Sequence, residues 1–383
     1  MALLALLLLA QQTAFVPILG LHDRGVFNRF APFVALSGAE GYAPDRVGLM
    51  LNLHQDVLHV TVDRVPVSVI PMRLVGEDAA LRWFRRRSSG AVFAVSALGG
   101  SAAHRVVRLR LLSRGEAKAA ATSHKIGAAT LRRHARARRV WVSRWRKRPA
   151  DERLALIGST VLRCPAAICL EIPSLTLEAL LGTLEPKGVL VIRRLQWPSD
   201  RDQDGIHDQV DTLIGAKKLV LNKAQYREGF QYIKWPMGDV PPDRGVCTDV
   251  LIRALRNAGI DLQVLLQRHI AGHRASYPWI ERRSPNIDHR RVRNLLIYFK
   301  ARAELISTGI TETNKHLYLP GDILFMDTRP KKWGPDHVGI VSDHRNARGY
   351  PLVINNRGRG PHQYTAELDM LPTVRVTHHF RLR

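Results

Sequence analysis

One cysteine and one histidine in the C-terminal half have the surroundings of a nucleophile and its base. Cys247 follows the loop-forming residues Pro241, Pro242 and Gly245, and from Cys247 onward apolar residues recur at helical spacing. The pattern predicts a helix that begins at Cys247 and ends before Gly259, which suits a C-terminal cap. The positive end of a helix stabilises a thiolate, the attacking form of cysteine. We therefore expect Cys247 to be a nucleophile.

His337 opens a predicted strand in which His337, Gly339 and Val341 share one face. An imidazole beside a thiol can take its proton and later return it to a leaving group. The next predicted strand ends in Asn355 and Asn356, and either amide could hold the imidazole in one tautomer, as in Cys-His-Asn sites. A buried, inert helix cysteine is the alternative interpretation of Cys247.

The other two cysteines, Cys164 and Cys169, are five positions apart. They can close a small disulfide loop if the compartment is oxidising, which leaves Cys247 as the remaining thiol. Three buried, unreactive thiols are the alternative.

An acidic loop precedes the C-terminal half. Its aspartates fall at positions 1, 3, 5, 9 and 12 of a twelve-residue loop, with Gly205 at position 6 for the sharp turn. The loop resembles the calcium loops of thrombospondin type 3 and dockerin repeats. We expect it to bind a structural Ca²⁺, with an acidic, helix-capping linker as the alternative, and we expect no cofactor for catalysis. The predicted ligands are Asp200, Asp202, Asp204, the carbonyl of Ile206, Asp208 and Asp211.

Several motifs together carry a resemblance to a known family. They are Gly245–Asp249, Asn286–Val292, Pro320–Ile323 and His337–Asp343. The stretch from about Val210 to Arg383 resembles domain of unknown function 1287, a bacterial family within the NlpC-type cell-wall peptidases of the papain-like superfamily. The resemblance implies that Cys247 and His337 are the catalytic pair and that the substrate is peptidoglycan or another peptide. Such families usually have His at the third polar position, where this chain has Asn355.

Four polar residues near these motifs are candidates for substrate contacts. They cluster in the sequence around the predicted cysteine helix and the Asn286–Val292 motif, and the alternative is a structural salt-bridge network. The four candidates are Asp249, Asp288, His289 and Arg290.

The chain is strongly basic, with a formal net charge of +25 over 383 residues. No acidic residue occurs between Glu116 and Asp151, and arginines crowd the 132–148 stretch, where Trp141 and Trp145 are interleaved. This composition suits an anionic polymer, although a solvated basic helix is the alternative. No specific nucleic-acid motif accompanies it.

The N-terminus and the motif positions divide the chain into segments. Residues 1–21 have the apolar run of a signal peptide or membrane anchor, so we expect an extracytoplasmic protein (periplasmic, secreted or in the cell envelope) that contacts a membrane only if the leader is uncleaved. We further predict a basic N-terminal region over 22–197, a calcium-loop linker over 198–212 and a hydrolase domain over 213–383.

The expected fold class is α+β. The C-terminal domain is expected to be papain-like, with the Cys247 helix packed on an antiparallel sheet that carries His337. Short β-branched runs at 58–62, 65–69, 92–97 and 106–112 predict strands in a mixed α/β N-terminal region. The predicted activity is amide hydrolysis through a thioester. The alternatives are an inactive cell-wall or polyanion-binding module and an acyltransferase that uses the same pair.

Overall fold

The computed structural model describes residues 47–382 with short gaps. It leaves out 53–56, 64, 88–90, 100–105, 124–127, 145–152, 159–160, 162, 173–176, 178–179, 181–188, 194–198, 330–333 and 359–361. The predicted leader and Trp145 therefore lie outside the described residues. The described chain up to His207 forms one compact unit, and the chain from Asp208 onward forms another.

The N-terminal unit is built on a mixed nine-stranded sheet of order β3-β2-β1-β9-β5-β6-β7-β8-β4. The strand pairs β1/β9 and β7/β8 are parallel, and the other pairs are antiparallel. The four predicted β-branched runs are confirmed as β2, β3, β5 and β6. The strands are β1 Val47–Asn52, β2 Val57–Val62, β3 Val65–Pro71, β4 Arg73–Gly76, β5 Val92–Gly99, β6 Val106–Leu111, β7 Leu154–Gly158, β8 Ile168–Ile172 and β9 Val189–Arg193.

The basic stretch is helical, but its aromatic residue Trp141 is buried. Helices α1 (Asp78–Arg87), α2 (Arg114–Ser123) and α3 (Ala128–Arg144) belong to this unit. The Trp141 ring lies 5.0 Å from that of Phe93 and 5.3 Å from that of Trp83. Trp141 is thus a core residue, so its ring is not available to contact an anionic polymer. Polymer binding stays a prediction, because α3 exposes five arginines, at positions 132, 133, 136, 139 and 144.

Cys164 and Cys169 are joined in the N-terminal unit. Their sulfur atoms lie 2.09 Å apart, and Cys169 belongs to the buried strand β8. Cys247 is the free cysteine.

The C-terminal unit places helices on a six-stranded antiparallel sheet of order β12-β17-β13-β14-β15-β16. The α+β expectation is confirmed. The helices are α4 Asp208–Asn222, α5 Cys247–Asn257, α6 Leu262–Gly272 and α7 Val292–Arg302. The strands are β10 Gln225–Tyr226, β11 Arg244–Gly245, β12 Glu304–Ser307, β13 Ile323–Asp327, β14 His337–Arg345, β15 Pro351–Asn356, β16 Thr365–Leu368 and β17 Arg375–Arg381.

A buried carboxylate fixes the start of β13. Gly321 has φ of +85°, and a side chain there would collide with the backbone of Gln209. The next residue, Asp322, is fully buried and accepts hydrogen bonds from five donors. The donors are Gln209 Nε2 at 2.8 Å, Leu319 N at 2.8 Å, His379 Nε2 at 2.7 Å, and Arg381 Nε and Nη2 at 2.7 and 2.6 Å.

Among the helices of the described chain, none has the length and apolar character that a membrane span requires.

Candidate active site

Helix α5 begins at Cys247, as the sequence pattern predicts. The preceding residue, Val246, is extended, and its N–H donates to Asp249 Oδ2 at 2.8 Å. This half of a capping box satisfies one of the backbone donors at the helix start. At the other end Gly259 has φ of +69°, the left-handed conformation of a glycine that follows a helix.

A buried ion pair holds the first turn of α5. Arg290 donates from Nε to Asp249 Oδ1 at 2.7 Å and from Nη2 to Asp249 Oδ2 at 2.9 Å. Thr248 Oγ1 also donates to the Arg290 carbonyl at 3.2 Å. Both charged side chains are less than 5 % exposed. Asp249 and Arg290 therefore fit the salt-bridge alternative and position the cysteine helix.

The other two candidates for substrate contact are also buried. Asp288 accepts from Gln267 Nε2 and from the Ser284 N–H, both at 2.7 Å. His289 is 1 % exposed, and burial, with a smaller effect from Arg256, lowers its pKa to about 4. Asp288 thus joins its own loop to helix α6, and substrate contact by these residues stays a prediction.

The His337 imidazole is oriented by Asn355. His337 Nε2 lies 3.0 Å from Asn355 Oδ1, while Asn355 Nδ2 donates to the Val353 carbonyl at 3.0 Å. Because the amide nitrogen is already donating to Val353, the oxygen faces the ring and accepts from Nε2–H. The proton on Nε2 leaves Nδ1 with its lone pair, which is the form that can accept a proton.

Asn356, the alternative orienting residue, has a different role. Its Nδ2 donates to the Ala224 carbonyl at 2.9 Å and to the Gly245 carbonyl at 3.4 Å. Successive residues of a strand point to opposite faces, so Asn356 cannot share the partner of Asn355. Asn356 instead joins the end of β15 to the segment that leads into Cys247.

The Cys247 sulfur lies against the strand that carries His337. The backbone N–H groups of Val338 and of Thr248, in its own helix, interact with the sulfur and act to lower its pKa. Val338 directly follows His337, and α5 packs against β14 and β15. Cys247 and His337 are 8 % and 7 % exposed, so both groups are largely shielded from water.

Burial makes the resting forms of both groups neutral. It raises the pKa of Cys247 to about 12, against the two N–H contacts and with added repulsion from Asp249 and Asp336. Burial also lowers the pKa of His337 to about 4, although the bond to Asn355 acts in the opposite direction. Burial therefore opposes the resting thiolate that the helix start favours.

Tyr226 is a neighbour of the site that the sequence did not reveal. It lies on the two-residue strand β10, which pairs in parallel with β11 just before Cys247. Its hydroxyl donates to Glu228 Oε1 at 2.5 Å, its ring packs on the backbone at Gly358, and it interacts electrostatically with Cys247. A two-residue strand leaves no periodic signal, so no pattern could have identified it.

The acidic loop brings three of its aspartates together in the N-terminal unit. One carboxylate oxygen each of Asp200, Asp202 and Asp204 lies within 4.8 Å of the others. Gly205 has φ of +93°, which a tight turn requires. Its N–H donates to Asp200 Oδ2 at 3.1 Å, so the turn folds back on the first aspartate of the loop. Ile206 follows in the same unit. Asp208 and Asp211 lie in the first turn of α4, in the C-terminal unit.

The C-terminal unit is similar to known proteins of undefined activity. The model of the family "Domain of unknown function (DUF1287)" matches residues 213–382. The chain is 38% identical over 174 residues to "Uncharacterized protein YijF" of Escherichia coli (strain K12), a match that covers 44% of this chain and 78% of the relative. No solved structure matches the chain significantly.

Proposed function

The chain belongs, through its C-terminal unit, to the family of domain of unknown function 1287, and we propose that this unit is a papain-like, NlpC-type cysteine hydrolase of amide bonds. One observation carries the proposal. The hydrogen bond between His337 Nε2 and Asn355 Oδ1 leaves His337 Nδ1 as a proton acceptor. The N–H of the next residue, Val338, interacts with the Cys247 sulfur. A nucleophile, a base and a group that orients the base are the three parts of a Cys-His-Asn site.

The reaction follows from the protonation states. The Cys247 thiol attacks the amide carbon while its proton passes to His337 Nδ1, because neither group is charged at rest. The carbonyl oxygen becomes an oxyanion that a backbone N–H at the start of α5 can stabilise. The protonated imidazole then gives its proton to the departing amine, and a thioester remains on Cys247. Water, deprotonated by His337, attacks the thioester carbon, a carboxylic acid is released, and the departing Cys247 sulfur takes the proton back from the imidazole.

The proposed substrate is a peptide bond of peptidoglycan, in an extracytoplasmic compartment. The Cys164–Cys169 disulfide supports that compartment, because disulfides persist mainly in oxidising environments. An acyltransferase would share the thioester and would give it to an amine in place of water. A cell-wall or polyanion-binding module without activity would leave the bond intact.

Digestion of purified peptidoglycan tests the proposal. The full chain and its Cys247→Ser variant are incubated with peptidoglycan, with and without an added amine acceptor, and soluble products are read by mass spectrometry. We expect the wild type alone to release fragments with a new amine and a new carboxylate. Products that carry the acceptor would assign acyl transfer instead, and identical product profiles from both proteins would contradict catalysis.

A second function, structural calcium binding, is favoured by the acidic loop. Three clustered carboxylates with a glycine turn provide hard oxygen ligands of the type that Ca²⁺ takes, together with the Ile206 carbonyl. Asp200 is 7 % exposed, and its Oδ1 has no hydrogen-bond partner in the described chain. Burial raises the pKa of Asp200 because it disfavours the charged carboxylate. A bound cation would favour the charged form and lower that pKa.

Isothermal titration with Ca²⁺ checks this function. We expect the wild type to bind one ion with a Kd of about 0.1–1 mM, the range of extracellular modules, and the Asp202→Ala, Asp204→Ala double variant to bind at least about tenfold more weakly. The Glu77→Ala, Asp78→Ala double variant removes two exposed carboxylates from the same unit and should bind as the wild type does. Absence of heat in the wild type would contradict the site.

A further inference from the structure

Two arginines stand at the end of the sheet where His337 lies. Strand β13 ends at Asp327, the neighbouring β14 begins at His337, and β15 on its other side ends at Asn356. Because both neighbours run antiparallel to β14, the end of β13, the start of β14 and the end of β15 lie at the same end of the sheet. Arg329 follows the end of β13, and Arg357 follows the end of β15.

Local hydrogen bonds hold both arginine-bearing segments beside the catalytic pair. The Thr328 N–H donates to Asp336 Oδ1 at 2.7 Å, which fixes the residue before Arg329 against the residue before His337. Arg357 comes two residues after Asn355, the partner of the imidazole. Both guanidinium groups interact electrostatically with His337.

Neither guanidinium has a partner within the part of the chain that the structure describes, since no hydrogen bond or ion pair joins Arg329 or Arg357 to another residue there. Arg329 is exposed and Arg357 half-buried. Two carboxylates of the neighbouring segments are already engaged, because Asp336 accepts from Thr328 and Glu228 accepts from the Tyr226 hydroxyl.

Other arginines of the same unit are used differently. Arg253 and Arg290 are each bound to an aspartate, and Arg345 donates to the carbonyls of Tyr318 and Gly349. Arg329 and Arg357 have no partner among the described residues and follow the strands on either side of β14, so they provide attraction for an anion that arrives with the substrate.

We propose that Arg329 and Arg357 bind a carboxylate of the substrate next to the scissile amide, so that this hydrolase selects acidic peptides. A guanidinium group matches a carboxylate in shape and can form two parallel hydrogen bonds with it. The proposal rests on the proposed function and adds its specificity-determining residues.

Two alkylating reagents that differ in one charge test the subsite without a known substrate. Iodoacetate and iodoacetamide both form a bond from the Cys247 sulfur to their methylene carbon and release iodide, but only iodoacetate carries a carboxylate. The rate at Cys247 is read by mass spectrometry of its peptide for the wild type, Arg329→Gln with Arg357→Gln, and Arg348→Gln. Arg348 lies in the turn at the far end of β14 and pairs with Glu312, so it is the matched control.

We expect the ratio of the iodoacetate rate to the iodoacetamide rate to fall about fivefold in the double variant and to stay unchanged in Arg348→Gln. An equal ratio in all three proteins, with His337→Ala still slowing both reagents, would overturn the carboxylate subsite and leave the hydrolase proposal standing. If His337→Ala slows neither reagent, the catalytic pair itself is contradicted, and the subsite with it.

Discussion

Replacement of His337 by alanine is expected to lower kcat/KM for release of peptidoglycan fragments about 10³-fold or more. Burial raises the pKa of the Cys247 thiol to about 12, so at pH 7 roughly one molecule in 10⁵ would carry a thiolate without help. The imidazole is thus the means by which the thiol loses its proton at neutral pH.

The control for this loss is another histidine of the same sheet. His378 lies on β17, is half-buried and contacts its neighbour Thr377, so His378→Gln should retain wild-type turnover. Asn355→Ala should lie between the two, because it keeps the base and loses only its orientation. Full activity in His337→Ala would contradict the assignment of the base.

Replacement of Asp322 by alanine is expected to cost about 3–5 kcal/mol of stability in the C-terminal unit. Asp322 is fully buried, and its removal leaves the Arg381 guanidinium without its counter-charge and takes an acceptor from three further donors, on Gln209, Leu319 and His379. Hydrogen exchange of the amides in β13 and β17, followed by mass spectrometry, reports the loss in this unit alone. An exposed pair provides the control, since solvent screens the contact of Asp243 with Arg244 and Asp243→Ala should leave this exchange unchanged.

The Asp322 carboxylate also predicts that the C-terminal unit loses stability at low pH. Burial alone raises the pKa of Asp322, but Arg381 and His379 more than offset it and hold that pKa below its usual value. A depressed pKa in the folded state stabilises the fold above the unfolded pKa and loses that contribution as the pH falls through the folded one. Protection of the β13 amides against hydrogen exchange should therefore decline below about pH 4 in the wild type. In Asp322→Ala this decline should be smaller. Equal stability of the two proteins at pH 7 would contradict the role of Asp322.

The sequence predicted the helix and strand that carry the reactive pair because their signals are local. The helix start at Cys247 follows from loop residues and apolar spacing, and the strand at His337 follows from a β-branched run that a glycine interrupts. The choice between Asn355 and Asn356 needed the register of β14 and β15, which depends on long-range pairing.

Protonation and burial were beyond the sequence for a related reason. A helix start favours a thiolate, but the desolvation that opposes it depends on how closely β14 covers the sulfur. Trp141 shows the same limit, because its arginine-rich surroundings suited contact with an anionic polymer while the packing of α3 places its ring in the core. Local composition does not predict how deeply a side chain is buried, because tertiary packing decides its burial.

The most direct test of the paired Cys247 and His337 is the pH dependence of Cys247 alkylation by iodoacetamide. With neutral imidazole as the base, we expect a rate in the wild type that is nearly constant from about pH 5 to pH 9, above the His337 pKa of about 4 and below the thiol pKa of about 12. In His337→Ala this plateau should vanish, and the rate should rise about tenfold per pH unit as the free thiol ionises. Parallel, steadily rising profiles in both proteins would contradict the pair.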